Sequence, residues 1–317
     1  MRVVVALGGN ALLRRGEPAD AETQRLNVKA VVQAVARLAA GHQLILTHGN
    51  GPQVGLLALQ SEAYRQVRPY PLDVLGAETE GMIGYLLQQG LESELPGQPV
   101  ATLLTQVAVD PHDPAFAAPT KPVGPVYTEE QARRLAAERG WTMTAETADG
   151  RWWRRVVPSP EPLDILELGI IRLLMEAGVL VICTGGGGIP VVVEDQGRHR
   201  RVRGVEAVVD KDLAAALLAR RLDTDALLLL TDVPAVCHDW GTPAAGPIRR
   251  ATPAELRRLP FAAGSMGPKV EAACRFVEAT RGRAAIGALA DADLVLRGQA
   301  GTLVTPDEAG RRPGNRH

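Results

Sequence analysis

Apolar residues in this chain come in short unbroken runs, separated by stretches in which they recur every three or four positions. The runs are Val3–Leu7, Leu44–Thr47, Val100–Val109, Val179–Thr184, Val191–Val193, Ala226–Leu230, Ala284–Ala288 and Thr302–Thr305. Runs of this kind read as strands covered on both faces, as in a parallel sheet between layers of helices. Between the first two, Val28, Val31, Val32, Val35 and Leu38 share one helical face, and Gly41 reads as the helix stop. Further helices are predicted over 52–66, 75–93, 128–139, 162–177, 211–221, 253–259 and 268–280. This alternation predicts an α/β fold: an open, mainly parallel, doubly wound sheet flanked by helices.

One stretch breaks the rhythm. Residues 110–162 hold eight of the 23 prolines and three of the four tryptophans, Trp141, Trp152 and Trp153. Structureless loops beyond about 15 residues are uncommon and often functional. The stretch therefore reads as an inserted subdomain carrying a short hairpin, a protruding lid over about 110–160. The closing RRPGNRH reads as a frayed tail.

Composition narrows the function. A net charge of -1 over 317 residues argues against nucleic acid or an anionic membrane as the main partner. No apolar run approaches the roughly 18 residues of a membrane span, and MRVVVALGGN reads as a buried strand, not a signal peptide. Cys183, Cys237 and Cys274 lack metal-site spacing and are expected to be reduced core thiols of a cytoplasmic protein.

The basic residues are 31 arginines and only four lysines, so each lysine stands against a strong compositional bias. Lys29 lies in the first helical pattern and reads as surface. The others sit in PTKPVGP (Lys121), VVDKD (Lys211) and GSMGPK (Lys269). A compact ammonium on a flexible stem does what a planar guanidinium does not. Lys211 and Lys269 both fall in the first turn of a predicted helix, where a cation opposes the helix dipole by roughly 0.3–1 kcal/mol. A bound phosphate resolves that conflict, with ammonium and backbone N–H groups converging on it. Asp210 reads as the N-cap, and Asp212 is placed to pair with and orient a lysine.

Glycine-rich turns follow several strands. In LGGNALL, Gly8 and Gly9 let the backbone approach a ligand and Asn10 is a candidate cap of a short helix. In THGNGPQVG, Gly49, Asn50 and Gly51 precede a helix start marked by Pro52. Two such turns at the ends of neighbouring strands are expected to converge on one anionic ligand. His48 reads first as hydrogen-bonded within its turn and second as catalytic. CTGGGGIPVV and LLLLTDVPAV form two further strand-to-turn junctions. The absence of G-x-x-x-x-G-K-[ST] excludes a P-loop NTPase, and no G-x-G-x-x-G follows the first strand. Three selected ammonium groups and open glycine turns point to phosphoryl transfer.

Together, VVALGGNALL, THGNGPQVG, PLDVLGAETEGMIGY, LTQVAVDPHDPAF, PTKPVGP, RRVVPSPEPLDI, CTGGGGIPVV, GVEAVVDKDLAA, LLLLTDVPAVC and GSMGPKVEAA resemble carbamate kinases of the amino-acid kinase superfamily. The resemblance implies a homodimer that transfers a phosphoryl group reversibly between ATP and carbamate, giving ADP and carbamoyl phosphate, with Mg2+. The metal is expected on the nucleotide phosphates, with no protein side chain as ligand. It further implies that residues 1–180, lid included, hold carbamate or carbamoyl phosphate, and that 181–317 hold the nucleotide. Gly8, Gly9, Asn10, Gly49, Asn50 and Gly51 would cradle the transferred group. Lys211 and Lys269 would neutralise its charge, Asp212 would orient them, and Lys121 would enter from the lid on closure. Candidates for the nucleotide are Gly185, Gly186, Asp232, Trp240, Met266 and Lys269, with Trp240 near the adenine. One departure stands out: GAETEG at Gly76–Gly81, where the family usually has Met, then Ser or Thr, then Gln between the glycines. Glu78 and Glu80 are expected to face solvent or a dimer interface. Rival readings are a superfamily kinase for another small acceptor and an inactive nucleotide-sensing dimer.

Overall fold

Eight of the strands hydrogen-bond into one sheet, in the order Arg250–Ala251, Thr302–Val304, Arg283–Ala288, Ala226–Thr231, Arg2–Leu7, Gln43–His48, Leu180–Ile182 and Val100–Thr102. All neighbours are parallel except Arg283–Ala288 with Thr302–Val304. The computed structural model describes residues 1–306 apart from Arg15, Arg65, Ala148, Gly197, Arg198 and Ala263, so RRPGNRH lies outside the described residues.

The strand pleat sorts apolar side chains into two cores. Val4, Ala6, Ile45, Leu227, Leu229 and Ile286 face one core, shared with helices Lys211–Arg221 and Met266–Thr280. Val3, Val5, Leu7, Leu44, Leu46, Leu228 and Leu230 face the other, closed by helices Ala21–Ala39 and Leu72–Glu94. Burying each such side chain stabilises the fold by about 1.5–3 kcal/mol before entropy is counted. The middle strands thus lie fixed between two layers, with the turns at their carboxyl ends free to carry chemistry.

Two predicted elements divide. The run Val100–Val109 gives Val100–Thr102 in the main sheet and Gln106–Ala108 in a second sheet with Asp164–Ile165, Ile189–Gln196 and His199–Gly204. Thr105 marks the break: its hydroxyl donates to Leu103 O and accepts Thr184 N, both at 3.0 Å, an alternative to ladder pairing. The helix expected over 162–177 starts at Leu168, because Asp164–Ile165 pairs as a strand with Gln106–Ala108. The Arg-rich strand His199–Gly204 carries no apolar alternation and was invisible to pattern reading.

The insertion is larger than a hairpin. Lys121–Thr128, Trp152–Val157 and Thr142–Ala145 form a three-stranded antiparallel sheet. Helix Glu129–Arg139 crosses between them, opened by a capping box of Thr128 and Gln131 and closed by Gly140 in the left-handed region. Trp141 is flanked by Arg139 and Arg155, whose guanidinium carbons lie 5.0 and 4.4 Å from its ring centre. The subdomain rests on helix Gly51–Ala63 at a point of backbone contact: a Cβ on Gly55 would lie 2.1 Å from Gly124 Cα.

That contact gives a test. Gly→Ala inside a helix ordinarily gains about 1 kcal/mol. Gly55→Ala should instead loosen the subdomain, seen as faster amide exchange over Lys121–Thr128. Unchanged exchange there, with a raised Tm, would show that the close approach is not needed.

Candidate active site

The carboxyl ends of strands Arg2–Leu7 and Gln43–His48 deliver their glycine turns to the same place. A Cβ on Gly49 would stand 2.8 Å from Gly9 N and 3.2 Å from Lys211 Cδ, so only a glycine lets these turns and the lysine stem meet. Across from them runs the Thr184–Gly188 turn, where Gly186 has φ +67 and its missing Cβ would sit 2.0 Å from Asn50 Nδ2. Gly9, Gly49, Asn50, Gly51 and Gly186 line one cavity of about 200 Å³ together with Lys121, Lys211, Asp212 and Lys269.

Two helix N-termini open onto this cavity. Asp210 caps helix Lys211–Arg221, its Oδ1 accepting Asp212 N at 2.9 Å and Leu213 N at 3.2 Å. Helix Met266–Thr280 begins at Ser265 with no side-chain cap. Lys211 and Lys269 therefore both project from first turns, and Asp212 lies between them. Its Oδ1 is 2.5 Å from Lys211 Nζ and its Oδ2 3.2 Å from Lys269 Nζ. Burial alone would raise the Asp212 pKa, but the two ammonium groups overcome it and bring it down to about 2. Burial also lowers the Lys211 pKa, against the pull of Asp212. Each ammonium has three N–H donors and spends one on Asp212, leaving the others for an anion.

Lys121 reaches the cavity from the lid strand, its Nζ 2.5 Å from Asp210 Oδ2. The sequence leads one to expect its entry on closure; the structure shows it at the cavity, its ammonium held by the second oxygen of the capping carboxylate. That role of Asp210 was missed in the sequence, where it read only as a cap.

Several predicted residues stand elsewhere. Asn10 lies within the short turn Gly9–Ala11 and does not cap it; Gly8 holds that position, and Asn10 Nδ2 donates to Asp232 Oδ2 at 2.8 Å. Gly8 N is bonded to Leu230 O at 2.9 Å, behind the cavity. Gly185 N is taken by Glu80 Oε1 at 2.7 Å. Met266 packs against the core at the start of its helix. Trp240 is 70% exposed, past the strand Cys237–His238, and does not line the cavity. Cys183 and Cys274 are buried thiols as expected, whereas Cys237 is half-exposed.

Glu78 is exposed, but Glu80 is not: only 1% of it is accessible. It lies on the inward face of helix Leu72–Glu94, with Leu72, Leu75, Thr79, Ile83 and Leu87. Burial drives its pKa up to about 8, against the lowering effect of N–H groups from Thr105 and Gly185. His48 is also fully buried, and burial lowers its pKa to about 4. Its Nδ1 lies 3.2 Å from Gly49 O, which fits a neutral ring protonated at Nδ1 and held in its turn. A larger groove of about 670 Å³ lies between the lid and helix Gly51–Ala63, but none of the residues expected at the site lines it.

Among the described residues no group of three or more His, Cys, Asp or Glu is arranged to hold a metal ion, and no helix is long and apolar enough to cross a membrane. An anion cradle of glycine turns, two helix N-termini and lysines on an open parallel sheet defines a phosphotransferase of the amino-acid kinase type. The sequence model of the Amino acid kinase family matches residues 1–287, and the chain belongs to that family. It is similar to the carbamate kinase of Rhizobium meliloti (strain 1021), 56% identical over 96% of this chain and 93% of that one. It is also similar to the carbamate kinase of Pyrococcus furiosus, 46% identical over 96% of this chain and 99% of that one. The solved structure of carbamate kinase from Giardia lamblia bound to AMP-PNP superposes with a TM-score of 0.86. It is 43% identical and covers 96% of this chain and 98% of its own.

Glu80 makes stability depend on pH. Its folded pKa of about 8 lies above its ordinary 4.5, so between those values the unfolded chain has released a proton that the folded chain keeps. Stability attributable to Glu80 therefore falls as pH rises through that window and levels off above it. Glu80→Gln removes the titration. Its Tm relative to the wild type should climb from about pH 5 to about pH 8, and a constant difference would refute the assignment.

Proposed function

We propose that this chain is a carbamate kinase, transferring a phosphoryl group reversibly between ATP and carbamate to give ADP and carbamoyl phosphate. The observation that carries the reading is the Lys211–Asp212–Lys269 group facing the Gly9 and Gly49–Gly51 turns. In phosphoryl transfer the protein's work is positioning and charge stabilisation, with little covalent chemistry of its own. Fixed ammonium groups and backbone N–H groups at helix N-termini suit the charge on the equatorial oxygens of the transferred group. The C-terminal half supplies the nucleotide side through Gly186 and Lys269, and the N-terminal half supplies the acceptor side through Asn50 and Gly51. This division concerns ligands and not folding, since strand Ala226–Thr231 pairs with Arg2–Leu7 inside one sheet.

Mg2+ fits this donor set only as a companion of the nucleotide, because both oxygens of Asp212 hold ammonium groups. Bound to the phosphates, it would neutralise part of their charge. Homodimeric assembly belongs to the same reading. Ile170 and Leu173, exposed three residues apart on helix Leu168–Glu176, are apolar side chains available to a second copy.

The direct test is ATP formation from ADP and carbamoyl phosphate, run beside phosphorylation of glutamate, aspartate and isopentenyl phosphate. Turnover with carbamoyl phosphate alone is expected; preference for another acceptor would move the protein elsewhere in its family. Lys211→Arg and Lys269→Arg should each lower kcat by roughly 100- to 1000-fold, equivalent to about 3–4 kcal/mol, with little change in Tm. A guanidinium keeps the charge but not its position. Near wild-type turnover in either variant would remove that lysine from the mechanism. Lys121→Ala should reduce kcat while leaving ADP affinity within about twofold, since its contact is to Asp210 and not to the nucleotide side. Equilibrium binding of ADP, measured beside turnover, separates the two effects.

A further inference from the structure

Glu80 is buried, ionisable and outside the constellation of lysines and glycine turns. Its two carboxyl oxygens accept two backbone N–H groups from different parts of the chain. Oε2 takes Thr105 N at 3.1 Å, at the break between the two sheets, and Oε1 takes Gly185 N at 2.7 Å, in the glycine turn. Thr105 Oγ1 in turn accepts Thr184 N at 3.0 Å. Two consecutive amides of the glycine turn, Thr184 and Gly185, are thereby fixed to side chains behind the cavity. The next residue, Gly186, lines the cavity and abuts the Asn50 side chain. Asn50 is itself held by the neighbour of Glu80: its Nδ2 donates to Thr79 Oγ1 at 2.8 Å, while that hydroxyl donates to Gly76 O at 2.8 Å.

We propose that Glu80 is a positioning residue for phosphoryl transfer: with Thr79, it clamps the Gly185–Gly186 and Asn50 walls of the cavity at a fixed separation. Two adjacent residues on one turn of a rigid helix of 23 residues hold both walls, so the walls cannot drift independently. His48 fills the remaining space behind the clamp. A Cβ on Gly185 would lie 2.5 Å from His48 Nε2 and 2.8 Å from Glu80 Cγ, leaving the turn no room to retreat. Small displacements of a positioned group are costly in turnover, which is why a buried polar residue that never touches substrate can govern it. A Gln side chain keeps one acceptor oxygen for Gly185 N but sets its NH2 against Thr105 N–H, itself a donor, so an amide restores only the Gly185 half of the clamp.

The inference rests on the reading of the cavity as a phosphoryl-transfer site, and the two are tested separately. Wild-type ATP formation from ADP and carbamoyl phosphate tests the site; the variants, compared with that rate per folded protein, test the clamp. Glu80→Ala should lower kcat by about tenfold or more, with KM for ADP within about twofold and faster amide exchange at Gly185. Glu80→Gln, which keeps the acceptor for Gly185 N but loses the one for Thr105 N, should give a kcat between those of the Ala variant and the wild type. An Ala variant with wild-type kcat, or one whose lost kcat comes with unchanged amide exchange at Gly185, would overturn the proposal. Should Glu80→Ala fail to fold, Thr79→Val reads the clamp from the side of Asn50. There, a kcat at least about threefold lower at an unchanged Tm supports it, and a wild-type kcat refutes it.

Discussion

The site depends on one electrostatic constraint: two lysine ammonium groups held at the positive ends of two helices, with Asp212 between them. Each feature alone would be unfavourable. A cation in a helix first turn opposes the dipole, two buried ammonium groups repel each other, and a lone buried carboxylate is costly. Together they are tolerable, because Asp212 gives one oxygen to each lysine and is held ionised by both. The group still carries more positive than negative charge, and the helix dipoles add to it. Its excess positive charge is completed by an anion, which is the property a phosphate-transfer site requires.

The rest of the fold delivers partners to that group. Burial of both sheet faces fixes the strands, so the turns after Leu7 and His48 end within contact of one another, near the stem of Lys211. The glycines there are a packing requirement before they are a ligand requirement, since a single Cβ at Gly49 would displace the first turn. Helices Lys211–Arg221 and Met266–Thr280 lie against the same core as Ile45 and Leu229, which brings their N-termini together from positions far apart in sequence.

How much of this was legible in the sequence follows from the kind of signal each residue carried. The sheet was readable because strands covered on both faces are unbroken apolar runs. Lys121, Lys211 and Lys269 were readable because arginine fills nearly every other basic position. Asp212 followed from its place beside a first-turn lysine. What failed to show were contacts set by side-chain direction: nothing local tells that Gly185 N is spent on Glu80, that Asn10 turns toward Asp232, or that Trp240 points to solvent. Glu80 gave a compositional signal, a carboxylate in an unexpected place, but its burial follows from the helix face it shares with Leu72 and Ile83. The strand His199–Gly204 gave no signal, as an Arg-rich strand lacks the alternation by which strands are recognised.

Asp210 joins the lid to the helix that carries Lys211 and Asp212 through a single carboxylate. Its Oδ1 satisfies two N–H groups of the helix that carries Lys211 and Asp212, while its Oδ2 receives Lys121 from the lid. Asp210 is buried with both oxygens engaged, so any movement of Lys121 changes the field at the start of that helix. An anion bound in the cavity would compete with Asp210 for the Lys121 ammonium, which the flexible lysine stem would let shift without moving the strand that bears it. The lid thus brings a positive charge to the cavity on a structural carboxylate, within a short path of any phosphate bound there. This explains why a Pro-stiffened arm ends in lysine: the arm fixes where the stem begins, and the stem's freedom decides which anion it serves.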